Sequence, residues 1–226
     1  MPNYKIADVV WEIFPQQSGT CDLLRDYETT ELVANEIVPE NMKGQELEHI
    51  QLLQYINERL AGKYHGLMLH AAAIVYRGKA YLFVALPGTG KTTHISLWRK
   101  VVGEEVLVLN GDKPFLRNQD GKILVYGGPW RGKEGFGCNG VYPLGGVYLL
   151  NRGQENRVCQ ASSQEKLGKL LDAILLCEDH GAMLNVMATL DALCKSVPVC
   201  MLYCNMETDA VDVVRKHIEE GDAYEN

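Results

Sequence analysis

The sequence predicts an α/β protein: a mixed β-sheet with flanking helices. Two observations carry that prediction. Apolar, strand-type runs alternate along most of the chain with segments whose apolar residues recur at three- and four-residue steps, the pattern of a sheet covered by helices. Turn signals such as Arg77-Gly78 and Asp120-Gly121 also join neighbouring apolar runs directly, so hairpins interrupt the crossovers and the sheet must be mixed. With 226 residues, 46% apolar and 23% charged, the chain can build one full-sized core and a small appendage. We expect a small N-terminal strand and helix region over 1–62, packed on a larger domain over 63–226.

Residues 1–44 read as short strands and turns, with the run Val9-Val10-Trp11-Glu12-Ile13-Phe14 ahead of Pro15. A helix is expected over 45–61, where Leu47, Ile50, Leu53, Ile56 and Leu60 share a face and Gly62 would end it. The runs 67–76 and 79–86 flank Arg77-Gly78 and read as a hairpin; a symmetric turn sets His70 opposite Ala85, and a three-residue turn shifts it to the other face. A helix over 91–102, a buried-type strand over 106–109, a hairpin of 115–117 with 122–126, and an aperiodic glycine-rich stretch over 127–139 follow. The strand 147–150 is expected to pair with 157–160. Ser162-Ser163-Gln164-Glu165 reads as a capping box for a helix reaching Cys177. A helix over 182–195, a strand over 199–204 and a helix over 208–220 with Gly221 behind it complete the chain.

The sharpest motif is Ala85-Leu86-Pro87-Gly88-Thr89-Gly90-Lys91-Thr92-Thr93. It matches the phosphate-loop pattern G-x-x-x-x-G-K-[ST] with Ala85 in place of the first glycine, a strand-end position that chiefly needs a small side chain. The chemistry explains the spacing. Backbone N–H groups curl around an anion only if glycines supply positive φ, and the helix that follows points its positive end at the same phosphate. Lys91 would reach the β- and γ-phosphates, and the Thr92 hydroxyl would ligate Mg²⁺.

A nucleotide site needs an acid at the end of a neighbouring strand. Asp112, after Val106-Leu107-Val108-Leu109-Asn110-Gly111, is the candidate: it could hold Mg²⁺ or take a proton from an attacking hydroxyl. The lesser alternative is a plain turn residue beside Gly111. His70 is either a neighbour of the phosphate loop or a core histidine. The stretch 127–139 carries Trp130, Arg131, Lys133 and Glu134 among its glycines, an unusual loop composition. It reads as a segment closing over nucleotide or anionic substrate, against an ordinary loop whose Trp packs on the core. His94 reads as solvent-facing, Trp11 and Phe14 as core, and the acidic tail 207–225 as a solvated helix face.

The balance of 22 Lys and Arg against 29 Asp and Glu, a net of −7, excludes bulk binding of nucleic acid, which needs many phosphates neutralised. The acid excess lies outside 85–135, which is locally basic and suited to a few phosphates. No signal-peptide pattern opens the chain, and the uncharged stretch 135–151 is too short and glycine-broken to span a membrane. Seven cysteines without a C-x-x-C signal neither disulfides nor zinc. Cys200 and Cys204 share one face of an apolar strand, so a reduced, cytoplasmic protein is expected.

With Leu69-His70-Ala71, the loop Pro87-Gly88-Thr89-Gly90-Lys91-Thr92-Thr93 and Leu109-Asn110-Gly111-Asp112 assembled, the stretch 67–112 resembles the HPr kinase/phosphorylase group and its relatives around ATP-dependent phosphoenolpyruvate carboxykinase. His70 stands at the spacing HPr kinases show before the lysine, while the Gly-Thr-Gly-Lys-Thr-Thr wording is closer to the carboxykinase. Weaker similarity continues through 128–134, Pro143-Leu144 and Val197-Pro198-Val199, segments often seen in bacterial HPr-kinase-like proteins. The resemblance implies a carboxykinase-like mixed sheet, ATP with Mg²⁺, and Asp112 as the acid/base or metal-binding aspartate with His70 nearby. Two departures stand out: Lys113 occupies the place of a second acid, and the C-terminal Arg-Gly-x-Gly signature of HPr kinases is missing.

The expected function is ATP-dependent transfer of the γ-phosphate to a hydroxyl, a serine of a protein or peptide. Lys91, Asp112 and His70 would act at the reaction centre, 87–93 on the nucleotide, Thr92 and Asp112 on the metal, and Arg131, Lys133 and Glu134 on the substrate side. No nucleic acid or membrane partner is expected, and an oligomer is compatible with the sequence. The alternative is a nucleotide-binding regulatory module without transfer activity, which Lys113 keeps open. A carboxykinase-type lyase ranks below both, because 226 residues leave no room for that family's additional substrate domain.

Overall fold

The run Ala71-Ala72-Ala73-Ile74-Val75-Tyr76 does not alternate polar and apolar residues because both faces of its strand are covered. In the computed structural model, which describes residues 2–39 and 48–224 and side chains as far as 221, Ala71, Ala73 and Val75 join one buried cluster and Ala72, Ile74 and Tyr76 another. The next strand sorts in the same way, Leu82 and Val84 to the first face and Tyr81 and Phe83 to the second. A sheet buried on both sides reads as continuous apolar runs, which is why the central strands are legible.

The elements in order are β1 (Asn3–Ile6), β2 (Val9–Glu12), α1 (Ser18–Leu24), β3 (Glu28–Thr29), β4 (Glu36–Ile37), α2 (Glu48–Tyr64), β5 (Gly66–Met68), β6 (Ala71–Tyr76) and β7 (Lys79–Val84). Then come α3 (Lys91–Val102), β8 (Val106–Asn110), β9 (Phe115–Gln119), β10 (Lys122–Tyr126), β11 (Val141–Arg152), β12 (Arg157–Gln160), α4 (Ser163–Leu171), α5 (His180–Ser196), β13 (Val199–Cys204) and α6 (Asp209–Tyr224). The main sheet runs β5-β9-β10-β11-β7-β6-β8, with β13 also on β11 and β12 on β13. β11 is parallel to β7 and β13, whereas β6 is antiparallel to β7 and β8. The expected mixed α/β sheet with flanking helices is the observed architecture. Residues of α4 and α5 pack on one face, those of α3 and α6 on the other.

The N-terminal strands form their own sheet, β3-β1-β2-β4. It shares a cluster with α2 and with Phe115, Tyr126 and Trp130 of the main body. Glu36, almost fully buried, fastens this sheet to α2: it accepts hydrogen bonds from Arg59 Nη2 (2.6 Å), Lys63 Nζ (2.7 Å) and Tyr64 Oη (3.1 Å).

Several sequence expectations are corrected. The helix expected over 45–61 runs on through Gly62 to Tyr64, where His65 at φ 47° turns the chain; Gln45, Glu46 and Leu47 lie outside the described residues, and Ile50 is exposed. Gly62 stays helical where α5 passes close: a Cβ on it would sit 3.9 Å from the Ala182 Cβ. The hairpin is shorter than expected, because Leu67 and Met68 leave for β9, although the mirrored register holds with Ala71 opposite Val84. Strand 157–160 pairs with β13 rather than with β11, whose flanks β7 and β13 already occupy. The capping box of α4 forms, but the helix stops at Leu171 instead of Cys177: Ala173 O accepts from His70 N (2.7 Å) and Ile174 bridges Leu69. Gly221 lies inside α6, not behind it. Helix α1 was legible in no periodicity.

Candidate functional site

Sheet order decides what meets at one edge. β7 and β8 both run antiparallel to β6, so their C-terminal ends lie beside the start of β6. The segment after β7 is the glycine loop, the segment after β8 carries Asp112, and the residue before β6 is His70. β11, parallel to β7, brings Arg152 to the same edge.

In the loop, Gly88 has φ 77° and Gly90 φ 119°, left-handed backbone that strains any residue with a Cβ. Gly90 is also the N-cap of α3, and no side chain caps that helix. A helix start without a side-chain acceptor presents free N–H groups and the positive end of the helix dipole, an arrangement made for an anion. Lys91 is 8% exposed, and its Nζ donates to Ala85 O at 2.8 Å across the loop. Burial pushes its pKa down, opposed by the charge of Asp112 and assisted by that of Lys113. Arg152 Nη2 donates to Gly88 O at 2.6 Å and so holds the loop from outside. Pro87 is exposed in the turn and Thr92 half-buried. Gly88, Thr89, Gly90 and Thr93 line a cavity of about 530 Å³ that continues past Leu150 to Met206. A larger open hollow of about 740 Å³ lies at the far end of α3, lined by none of the candidate residues.

Asp112 is placed by Asn110, which is wholly buried. Asn110 Oδ1 accepts from the backbone N–H of Asp112 (2.8 Å) and of Lys113 (2.7 Å), while its Nδ2 donates to Gly128 O (2.9 Å). This Asx turn is pinned to the start of β6 by Ala71 N to Asp112 O (3.0 Å) and Leu69 N to Pro114 O (3.1 Å). The result is a three-member cluster: His70 Nε2 lies 3.0 Å from Asp112 Oδ1, and Lys113 Nζ pairs with Oδ2. Burial would raise the Asp112 carboxyl, but the hydrogen bonds and charges of His70 and Lys113 prevail and hold it at about 2.

The stretch 127–139 wraps this turn. Gly132 lies against Asp112, where an added Cβ would come within 3.1 Å of the Asp112 Cβ. Arg131 faces the N-terminal sheet region: it pairs with Asp26 at 2.8 Å and lies over the Tyr27 ring. Lys133 and Glu134 are exposed. Trp130 is core, its Nε1 donating to His49 O at 3.0 Å and its ring packed edge-on against Phe115. His94, expected in solvent, is buried in α3: its Nε2 accepts from Trp98 Nε1 at 3.1 Å, and burial lowers its pKa to about 4.

The structure therefore brings together His70, Lys91 and Asp112 at the edge beside 87–93, and turns Arg131 elsewhere. Sequence reasoning missed Asn110 and Arg152. The signal for the first was Asn-Gly-Asp at a strand end; for the second, a cation directly after an apolar strand. As a donor set for Mg²⁺, Thr92 and Asp112 offer two hard oxygens. That number suits an ion that keeps waters and phosphate oxygens in its shell, provided that Lys113 releases Oδ2. Among the described residues no group of three His, Cys, Asp or Glu forms a protein-only metal cage, all seven cysteines are free, and no helix is long and apolar enough to cross a membrane.

No family model matches the chain, and no curated protein matches it either. Among solved structures, it is similar to the Hpr(Ser) kinase/phosphatase from Coxiella burnetii at 11% identity, covering 70% of this chain and 94% of that one, with a TM-score of 0.42. A likeness of that degree assigns no activity to this chain.

Proposed function

We propose that the protein is an ATP-dependent phosphotransferase that moves the γ-phosphate to a hydroxyl, a serine of a protein or peptide. The observation that carries this reading is the meeting of an uncapped glycine loop holding Lys91 with the His70–Asp112 pair at one sheet edge. Phosphoryl transfer asks a protein for positioning and charge neutralisation more than for covalent chemistry. Residues 87–93 hold the phosphates through backbone N–H groups, and Lys91, leaving Ala85 O, takes up their charge. Asp112 accepts the hydrogen bond of the acceptor hydroxyl and receives its proton; His70, fixed through its backbone by Ala173, keeps that carboxylate oriented. Mg²⁺, held by Thr92 and Asp112, would supply further neutralisation of the phosphate oxygens. The cavity beside the loop has the size of ligand pockets in general and leaves room for a nucleoside. Gly132, against Asp112, borders the acceptor side.

The second reading, a nucleotide-binding module without transfer, is favoured by one observation: Lys113 occupies the Asp112 oxygen that a metal would use. Incubation with γ-labelled ATP, Mg²⁺ and cell extract separates the two. A labelled serine, lost in Lys91→Ala and in Asp112→Asn, is the expected result. Nucleotide binding with no labelled acceptor would replace the transferase reading by the module.

A further inference from the structure

We propose that Lys113 is a second phosphate-binding lysine, released from Asp112 when a divalent cation takes that carboxylate. The inference rests on the phosphate site proposed above and concerns how that site is charged. Both oxygens of Asp112 are engaged, Oδ1 by His70 and Oδ2 by Lys113. A cation arriving at Asp112 must displace one of the two, because like charges do not share one oxygen in a half-buried site. His70 is the worse candidate for displacement, since its own N–H is bonded to Ala173 O and its neighbours Leu69 and Ala71 are bonded to Pro114 and Asp112.

Lys113 is free to swing. Its side chain is 31% exposed and stands on a flexible four-carbon stem, while Asn110 fixes its backbone next to the carboxylate. The swinging ammonium therefore keeps a fixed pivot and leaves its anion behind. Among the described residues no other carboxylate pairs with it. β7 and β8 flank the start of β6, so the turn that carries Lys113 lies at the same sheet edge as the phosphate loop. The anion that arrives with the cation, a polyphosphate chain, is the partner available to the ammonium. Lys113 thus competes with the cation for Asp112 and then serves the phosphate, so the site exchanges metal affinity for phosphate affinity.

The test uses the full chain and two probes, Mn²⁺ alone, followed by electron paramagnetic resonance, and Mg²⁺-tripolyphosphate, followed by calorimetry. Lys113→Met is expected to tighten Mn²⁺ binding at least about threefold, by removing the competing ammonium. The same variant is expected to weaken Mg²⁺-tripolyphosphate binding by about tenfold or more, the worth of a charged hydrogen bond. Lys113→Arg should restore the second effect. Shifts of opposite sign are the signature; a merely structural lysine would move both in one direction. Unchanged tripolyphosphate binding in a folded Lys113→Met, with binding lost in Lys91→Ala, overturns the role of Lys113 alone. Unchanged binding in Lys91→Ala overturns the phosphate site itself.

Discussion

At the scale of the residue, Asp112 shows how a carboxylate near the surface becomes a fixed chemical group. Two backbone N–H groups, its own and that of Lys113, donate to Asn110 Oδ1 and set its position, while the bonds to His70 and Lys113 hold its carboxylate. Asp112→Asn should lower the proposed phosphate transfer by about 10² to 10⁴, the range for the general base proposed for it, while circular dichroism remains that of the parent. His94 gives a residue-scale prediction about stability. Its folded pKa of about 4 lies below the ordinary 6.5, so between those values the unfolded chain takes up a proton that the folded chain refuses. Stability should therefore fall as pH drops from 6.5 towards 4, by at most about 1.4 kcal/mol per pH unit from this group. His94→Gln should flatten that part of the profile of melting temperature against pH; an unchanged slope would show that other groups set it.

At the scale of the element, the strand–loop–helix unit was legible because local chemistry dictates it: an apolar strand, glycines where φ must be positive, then a helical period. Helix α3 begins at Lys91 and ends at Val102, as expected from the sequence alone. Where prediction failed, the cause was non-local. The chain leaves α4 at Leu171 because residues 173 and 174 bond to the 69–70 segment, a hundred positions away in sequence, and periodicity cannot register that. Gly62 and Gly221 remain helical because the cost of a helical glycine, about 1 kcal/mol, is small beside the packing of α2 and α6 against their neighbours. Gly90→Ala tests the loop as an element. Space is available for the methyl group, so any loss comes from backbone strain at φ 119°. It should cost about 1–3 kcal/mol of stability in urea unfolding and weaken tripolyphosphate binding. Asn110→Ala should destabilise by a similar amount, about 1–3 kcal/mol, by leaving two N–H groups and Gly128 O without their partner.

At the scale of the molecule, the site depends on how the chain closes on itself. Antiparallel β6 between β7 and β8 gathers His70, the loop and Asp112 at one edge, and β11, parallel to β7, adds Arg152 from some forty residues beyond Asp112. The sequence indicated His70 and Asp112 as candidates but left each with an ordinary reading; only the register and the backbone bonds at 69–71 and 112–114 bring them to 3.0 Å. Arg131 shows the converse. Its glycine-rich context pointed to a ligand, and the fold pairs it with Asp26 on the N-terminal region. That region is tied to α2 through Glu36, with three donors on one buried carboxylate. Glu36→Gln should lower stability by about 1–3 kcal/mol, and loosening of the Arg131–Asp26 pair and of the Asn139 Nδ2 bond to Asp26 O (3.1 Å) should appear as faster hydrogen exchange in the stretch over Asp112. The most direct test of the central claim, that 87–93 and Lys91 form a nucleotide-phosphate site, is calorimetric titration of the protein with ATP and Mg²⁺ beside folded Lys91→Ala. Saturable binding by the parent, lost in the variant, is the predicted result; equal affinity in both, or no binding by the parent, would contradict it.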